Sequence, residues 1–120
     1  MDDIKKELRK ILRSKINFPI YPSHISLIKQ PEFPCISLSR NSGITNENHF
    51  SEEVIVNVDI WSKKNNDELW EIYNQVKALL NLKTGYFLCK LIYVNDDLYE
   101  NDSRTHHLAS RYRIIKKEVI

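Results

Sequence analysis

The stretch that decides the fold is EEVIVNVDIWSKKNNDELWEIYNQVKALL, residues 52–80. Val54, Val56, Val58 and Ile60 recur at every second position, which puts them on one face of a pleated strand over 52–62. Leu69, Ile72, Tyr73, Val76, Leu79 and Leu80 recur at helical spacing and form one apolar stripe of a helix over 66–81. Asn65 is a good N-cap for that helix, and Glu68 falls three residues later, where a capping-box partner belongs. One face of the strand and one stripe of the helix can therefore close on each other. The unit holds no group that looks made for catalysis, a contrast that points to assembly rather than chemistry.

Working outward, residues 3–15 read as a helix. Ile4, Leu8, Ile11 and Leu12 form its apolar side, Asp2 or Asp3 caps it, and Lys5, Lys6, Arg9, Lys10 and Arg13 occupy the other side. Pro19, Pro22, Pro31 and Pro34 break up 16–34 into an irregular or extended crossing segment. CISLSR, residues 35–40, is a short strand, and the polar run 41–51 with Gly43 reads as a hairpin loop. YFLCKLIYV, residues 86–94, is apolar on both alternating faces. It suggests an interior strand covered on both sides, or one covered on one side by a neighbouring subunit. Residues 95–104, NDDLYENDSR, read as an acidic turn-rich loop. A last strand over 106–117 carries Leu108, Tyr112 and Ile114 on one face and His107, Arg111 and Arg113 on the other. The predicted architecture is a single α+β domain over residues 1–120, an antiparallel four-stranded sheet with two helices packed on one face.

Composition bounds the function. A chain of 120 residues, 42% hydrophobic and 28% charged, suits one globular core. A net charge of +2 does not by itself imply nucleic-acid binding. The charge is segregated, however: residues 1–15 are rich in Lys and Arg, whereas 96–102 hold Asp96, Asp97, Glu100 and Asp102 with no basic residue. The N-terminal run MDDIKKELRKIL is charged throughout, unlike a secretory leader, and no apolar run approaches the roughly 20 residues a membrane helix needs. Cys35 and Cys89 lack metal-ligand spacing and read as reduced core thiols.

Candidate chemistry is thin. Asp96, Asp97, Asp102, His106 and His107 offer metal ligands, but adjacent histidines on a strand point to opposite faces, and the loop lacks the alternating ligands and Gly of a calcium hand. A solvated hairpin tip is the favoured reading. There is no Gly-x-Ser-x-Gly elbow, no Cys with a predictable His partner and no phosphate-binding Gly loop, since Gly43 and Gly85 stand alone. The expected cofactor and metal complement is none. The basic helix face could touch phosphates, but it lacks aromatic interleaving. Trp61 and Trp70 complete the core by default; exposed, they would mark interface anchors.

The sequence resembles the tail terminator, or tail-completion, proteins of long-tailed bacteriophages, the tail-to-head joining group. The resemblance runs over nearly the whole chain: the short N-terminal helix, the Tyr21-Pro22 segment, and FPCISLSR where the family carries an "lPyi" strand. It continues through VIVNVDIWSKKNNDELWEIYNQVKALL, like the family's "v.vdiws" strand and Leu-paired helix, to the Asp-rich turn NDDLYENDSRTHH and the strand LASRYRII. This chain departs from Gly- and Ala-rich members in being Lys-, Asn- and Ile-rich.

The resemblance implies a non-enzymatic subunit of a hexameric ring that caps the growing tail tube, halts its polymerisation and joins the tail to the head connector. Its partners would be other copies of itself, the major tail tube protein and a head completion or connector protein. Phage DNA would pass through the ring without sequence-specific binding, and no membrane is involved. Its place would be the head-tail junction of the virion, after assembly in the bacterial cytoplasm. Candidate interface residues are Lys5, Arg9 and Arg13 on the basic helix, Asn46, His49 and Phe50 in the 41–50 loop, and Asp96, Asp97 and Asp102 in the acidic loop. Head-to-tail rings need complementary, non-identical patches, which the basic and acidic segments could supply. The competing readings are another head-tail connector or minor tail protein, a nucleic-acid-binding regulator, and, least favoured, a small enzyme using the Asp/His loop.

Overall fold

The computed structural model describes residues 2–45, 51–81, 87–100 and 104–117. Its elements run α1 (Asp2–Arg13), β1 (Ile20–Tyr21), a 3-10 turn (Ile25–Leu27), β2 (Cys35–Thr45), β3 (Ser51–Ser62), α2 (Asn66–Leu80), β4 (Phe87–Glu100) and β5 (Thr105–Lys117). The class is α+β, as the alternating periodicities predict. The sheet corrects the expectation of an antiparallel four-stranded one. It is mixed and five-stranded, in the order β1-β2-β3-β5-β4, with β1 parallel to β2 and the four long strands antiparallel to one another. The added strand hides in the Pro-rich crossing. Pro19 and Pro22 bracket only two residues able to join the ladder, and Ile36 N donates to the Pro19 carbonyl at 3.1 Å.

Both helices cover one face of the sheet. Val54, Val56, Val58 and Ile60 of β3 are fully buried with Ile36 and Leu38 of β2 and Leu108, Tyr112 and Ile114 of β5. They share one core with Ile4, Leu8 and Leu12 of α1 and Leu69, Ile72, Tyr73, Val76 and Leu80 of α2. At about 0.8 kcal/mol per buried CH2, this layer dominates stability. The Asn65 side chain caps α2, its Oδ1 accepting from Glu68 N at 2.9 Å. Glu68 does not complete a capping box on Asn65. Its carboxylate instead accepts from Ser62 Oγ at 2.7 Å, and Ser62 Oγ also accepts from Lys64 N. The end of β3 is thereby tied to the start of α2. At the other end, Asn81 Oδ1 accepts from Leu91 N at 2.9 Å and ties α2 to β4.

Two segments read as loops are strand instead. β2 continues past Arg40 to Thr45 through a bulge at Asn41, with Gly43 opposite Val54 and Thr45 opposite Glu52. β4 continues through the acidic run to Glu100, because Leu98 and Tyr99 pair with His107 and His106 while Asp96 and Asp97 are taken up in a bulge. β4 is also an edge strand, not an interior one. Strands of 12 to 14 residues span roughly 40–45 Å, against about 22 Å for the 15-residue α2. The hairpins therefore outrun the helical layer, and the molecule is 47 Å long but only 24 by 23 Å across.

Candidate functional site: the helix-free face and the two sheet edges

Odd-numbered residues of β3 and β5 face away from the helices. On that side Trp61 is buried and stacks on His107, ring centroids 3.8 Å apart and planes 8° from parallel. His107 Nε2 lies 2.9 Å from Asp59 Oδ1, and both residues are buried. Trp61 Nε1 donates to Ser37 Oγ at 3.0 Å. The Pro-rich crossing folds over this end of the sheet, bringing the edge of His24 to Trp61 and Phe33 beneath the Lys63 ammonium. The Asp59 carboxylate holds the imidazole in one orientation, and the indole covers it. Such a packed, hydrogen-bonded cluster orders a sheet face. Alternation alone puts Trp61 opposite Val54–Ile60 and His107 opposite Leu108, and the β3–β5 register then makes the two partners. The pairing with Asp59 had no sequence signal, since the two residues are 48 apart in the chain.

His106 turns to the opposite side, half-buried against Tyr99. No group of three or more His, Cys, Asp or Glu among the described residues is placed to hold a metal ion. Burial pushes the Cys35 and Cys89 thiols up to about 12, which suppresses the reactive thiolate. Further along the helix-free face, Arg113 Nε donates to Glu53, and the Arg111 guanidinium sits 4.7 Å from the Tyr93 ring centroid.

The basic helix flank lies at the β1 edge. Lys5 and Arg9 are partly committed within the chain: Lys5 Nζ donates to the Pro22 carbonyl and Arg9 Nε to the Ile20 carbonyl, each at 2.9 Å. These bonds moor α1 to the edge strand. Arg13 is exposed, and with Arg9 it rims an open cleft floored by Ile16, Phe18, Ile20 and Tyr21. Among the acidic candidates, Asp96 and Asp97 lie in the β4 bulge, with only their backbone described. Asp102, Asn46, His49 and Phe50 lie outside the described residues. The basic candidates and the Asp96–Asp97 segment are thus not brought together within one copy. They sit on opposite edges of the sheet.

No family model matches the sequence, and no curated protein matches it closely enough to count as a relative.

Sequence reasoning missed the exposed apolar residues of β4. Ile92, Tyr93, Val94 and Tyr99 are 45%, 40%, 39% and 50% exposed, the largest concentration of such side chains on any one element among the described residues. The signal was there, in a run apolar on both faces, while the helices cover only one face of the sheet. Trp70 is also partly exposed on α2, edge-on to Tyr73.

Proposed function

We propose that this chain is a structural tail terminator of a long-tailed bacteriophage. It assembles as a ring on the end of the tail tube, stops tube polymerisation and presents a surface to the head connector. The resemblance of the strand-helix unit and of the closing strand supports this reading. The observation that carries it furthest is the placement of unlike surfaces on opposite sheet edges, an apolar, acid-bearing β4 and a basic, cleft-bearing β1 flank. Unlike patches on opposite sides of one subunit are what head-to-tail closure into a ring requires. The buried Asp59–His107 pair serves as a structural fastener in this reading, and no catalytic step is assigned to it. No helix among the described residues is long and apolar enough to cross a membrane.

The segment 46–50, between β2 and β3 in the chain, is assigned to contact with the tube. The test is capping. Tail tubes polymerised without this protein should run to irregular length, and adding the wild type should arrest growth and leave a ring visible at one end by electron microscopy. A chain in which Asn46–Phe50 is replaced by a tight turn should fold normally and fail to cap. Tubes that grow unchecked with the wild type present would refute the terminator reading. A salt-sensitive complex with DNA in place of a ring would favour the regulator.

A further inference from the structure

We infer that the outer flank of α1 and the cleft beside it form a docking groove for an extended acidic peptide of a second protein, with carboxylates at alternate positions and an apolar side chain at one end. Lys5, Arg9 and Arg13 recur at every fourth residue, and Lys6 and Lys10 stand one position round the helix from the first two. Three depressions run along this flank, and Arg9 lines all of them. One lies between Lys5, Lys6 and Pro22, and the next runs along Lys6, Lys10 and Arg13. The third is an open cleft of about 650 Å³, floored by Ile16, Phe18, Ile20 and Tyr21. Glu32 is the one carboxylate among the described residues that line them.

The cations are held in place for a ligand. Lys5 Nζ and Arg9 Nε each donate to a carbonyl of the β1 segment at 2.9 Å, which fixes where the two head groups stand. An ammonium carries three N–H donors and a guanidinium five, so each keeps donors for a carboxylate. Lys6, Lys10 and Arg13 are exposed. The spacing suits an extended chain. Residues four apart on a helix are about 6 Å apart along its axis, and alternate side chains of an extended strand are about 6.7 Å apart. From Lys5 to Arg13 the helix advances about 12 Å and four strand residues about 13 Å, a difference that long side chains absorb.

Such a peptide is read by side chains and is not added to the sheet. Pro19 and Pro22 have no N–H, and the Ile20 and Pro22 carbonyls are taken by Arg9 and Lys5. The flank does not suit nucleic acid. Single strands are held by bases stacked on aromatic faces, and the exposed aromatics among the described residues, Trp70, Tyr93 and Tyr99, lie on α2 and β4. Phe18 and Tyr21 are half-buried, and the Tyr21 hydroxyl accepts from Glu32 N at 3.0 Å. The cleft floor therefore takes one apolar side chain. Glu32 beside it repels a carboxylate, so the acidic residues belong along α1 and the apolar one over Phe18 and Ile20.

The groove rests on the terminator reading only for the source of the peptide, another protein of the particle; its chemistry rests on this flank alone. The test is fluorescence anisotropy of the full chain with labelled synthetic peptides at low salt. The probe carries three glutamates at alternate positions followed, two residues on, by a leucine. It should bind, and raising the salt tenfold should weaken it several-fold. Lys6→Glu with Lys10→Glu, both exposed positions, should weaken binding about tenfold while the melting temperature stays put. Replacing the leucine of the probe by glutamate should weaken binding by a similar factor, and Glu32→Gln should narrow that preference. A probe of the same composition with its glutamates contiguous should bind less well. The peptide variants leave the protein untouched, so they decide the matter even where a charge reversal destabilises the chain.

Binding that ignores the order of the glutamates, the leucine and the charge reversal overturns the groove. A single-stranded oligonucleotide of matched charge that binds more tightly than the probe overturns it in favour of nucleic acid. A probe that binds only by dissociating an oligomer of the chain, seen by sedimentation, overturns it in favour of a second copy. A wild type that caps tubes but does not bind the probe removes this groove and leaves the terminator reading intact. A chain that binds the probe with the expected preferences and does not cap tubes does the reverse.

Discussion

Val58 is the sharpest probe of which sheet face carries the core. It sits mid-strand in β3, flanked by Leu38 on β2 and Ser110 on β5, fully buried beneath the helical layer. Val58→Ala removes two methyl groups, worth roughly 1.6 kcal/mol of transfer free energy at about 0.8 kcal/mol per carbon. Incomplete collapse of the vacated space adds about 1 kcal/mol. The expected loss is therefore about 2–3 kcal/mol, a fall in Tm on the order of 10 °C for a domain of this size. Val58→Asp places an unpaired carboxylate in the same space and should cost several kcal/mol, a large part of the total stability of a typical domain. Asn57→Asp is the control: it is next in the chain but on the helix-free face and only half-buried, so its cost should stay within about 1 kcal/mol. Thermal and urea melts followed by circular dichroism read all three. If Val58→Ala melts with the wild type, or Asn57→Asp costs as much as Val58→Asp, the helices do not cover the even-numbered face and the architecture is wrong.

Two further outcomes follow from buried polar groups. The Tyr112 hydroxyl is buried without a hydrogen-bond partner among the described residues, and its ionisation is pushed up by burial and by the neighbouring Tyr73 and Cys89 groups. Tyr112→Phe should be neutral or stabilising by up to about 1 kcal/mol in a chemical melt, and a loss larger than that would mean the hydroxyl has a partner. The two thiols keep their protons to about pH 12 when folded but ionise near 9.0 when unfolded. Above pH 9 the unfolded chain binds fewer protons than the folded one, so this contribution lowers stability as pH rises from 9 toward 12 and leaves it unchanged below. A Cys35→Ala, Cys89→Ala chain should show a flatter loss across that window; an identical slope would show the thiols to be accessible.

Much of the fold was legible in the chain because it is local. Period-two and helical spacing placed β3, α2, β5 and α1 within a residue or two, and Asn65 marked the start of α2 as expected. Alternation also sent His106 and His107 to opposite faces, and set Trp61 on the side away from Val54–Ile60. Polarity was the misleading signal. The runs 41–45 and 95–100 look like loops, yet they stand in strands, because an edge or projecting strand keeps its ladder hydrogen bonds whatever its side chains prefer.

What the sequence by itself determined, then, is the set of amphipathic elements and the segregation of charge between residues 1–15 and 96–102. What only the tertiary structure decided is where those elements lie relative to one another. Strand order depends on contacts between residues tens of positions apart, and no local pattern encodes it. It made the doubly apolar β4 an edge, and put a two-residue parallel strand at the other end. It also closed Asp59 onto His107 under an indole. The same order carried the basic flank and the acidic bulge to opposite edges of the sheet, too far apart to pair within one copy.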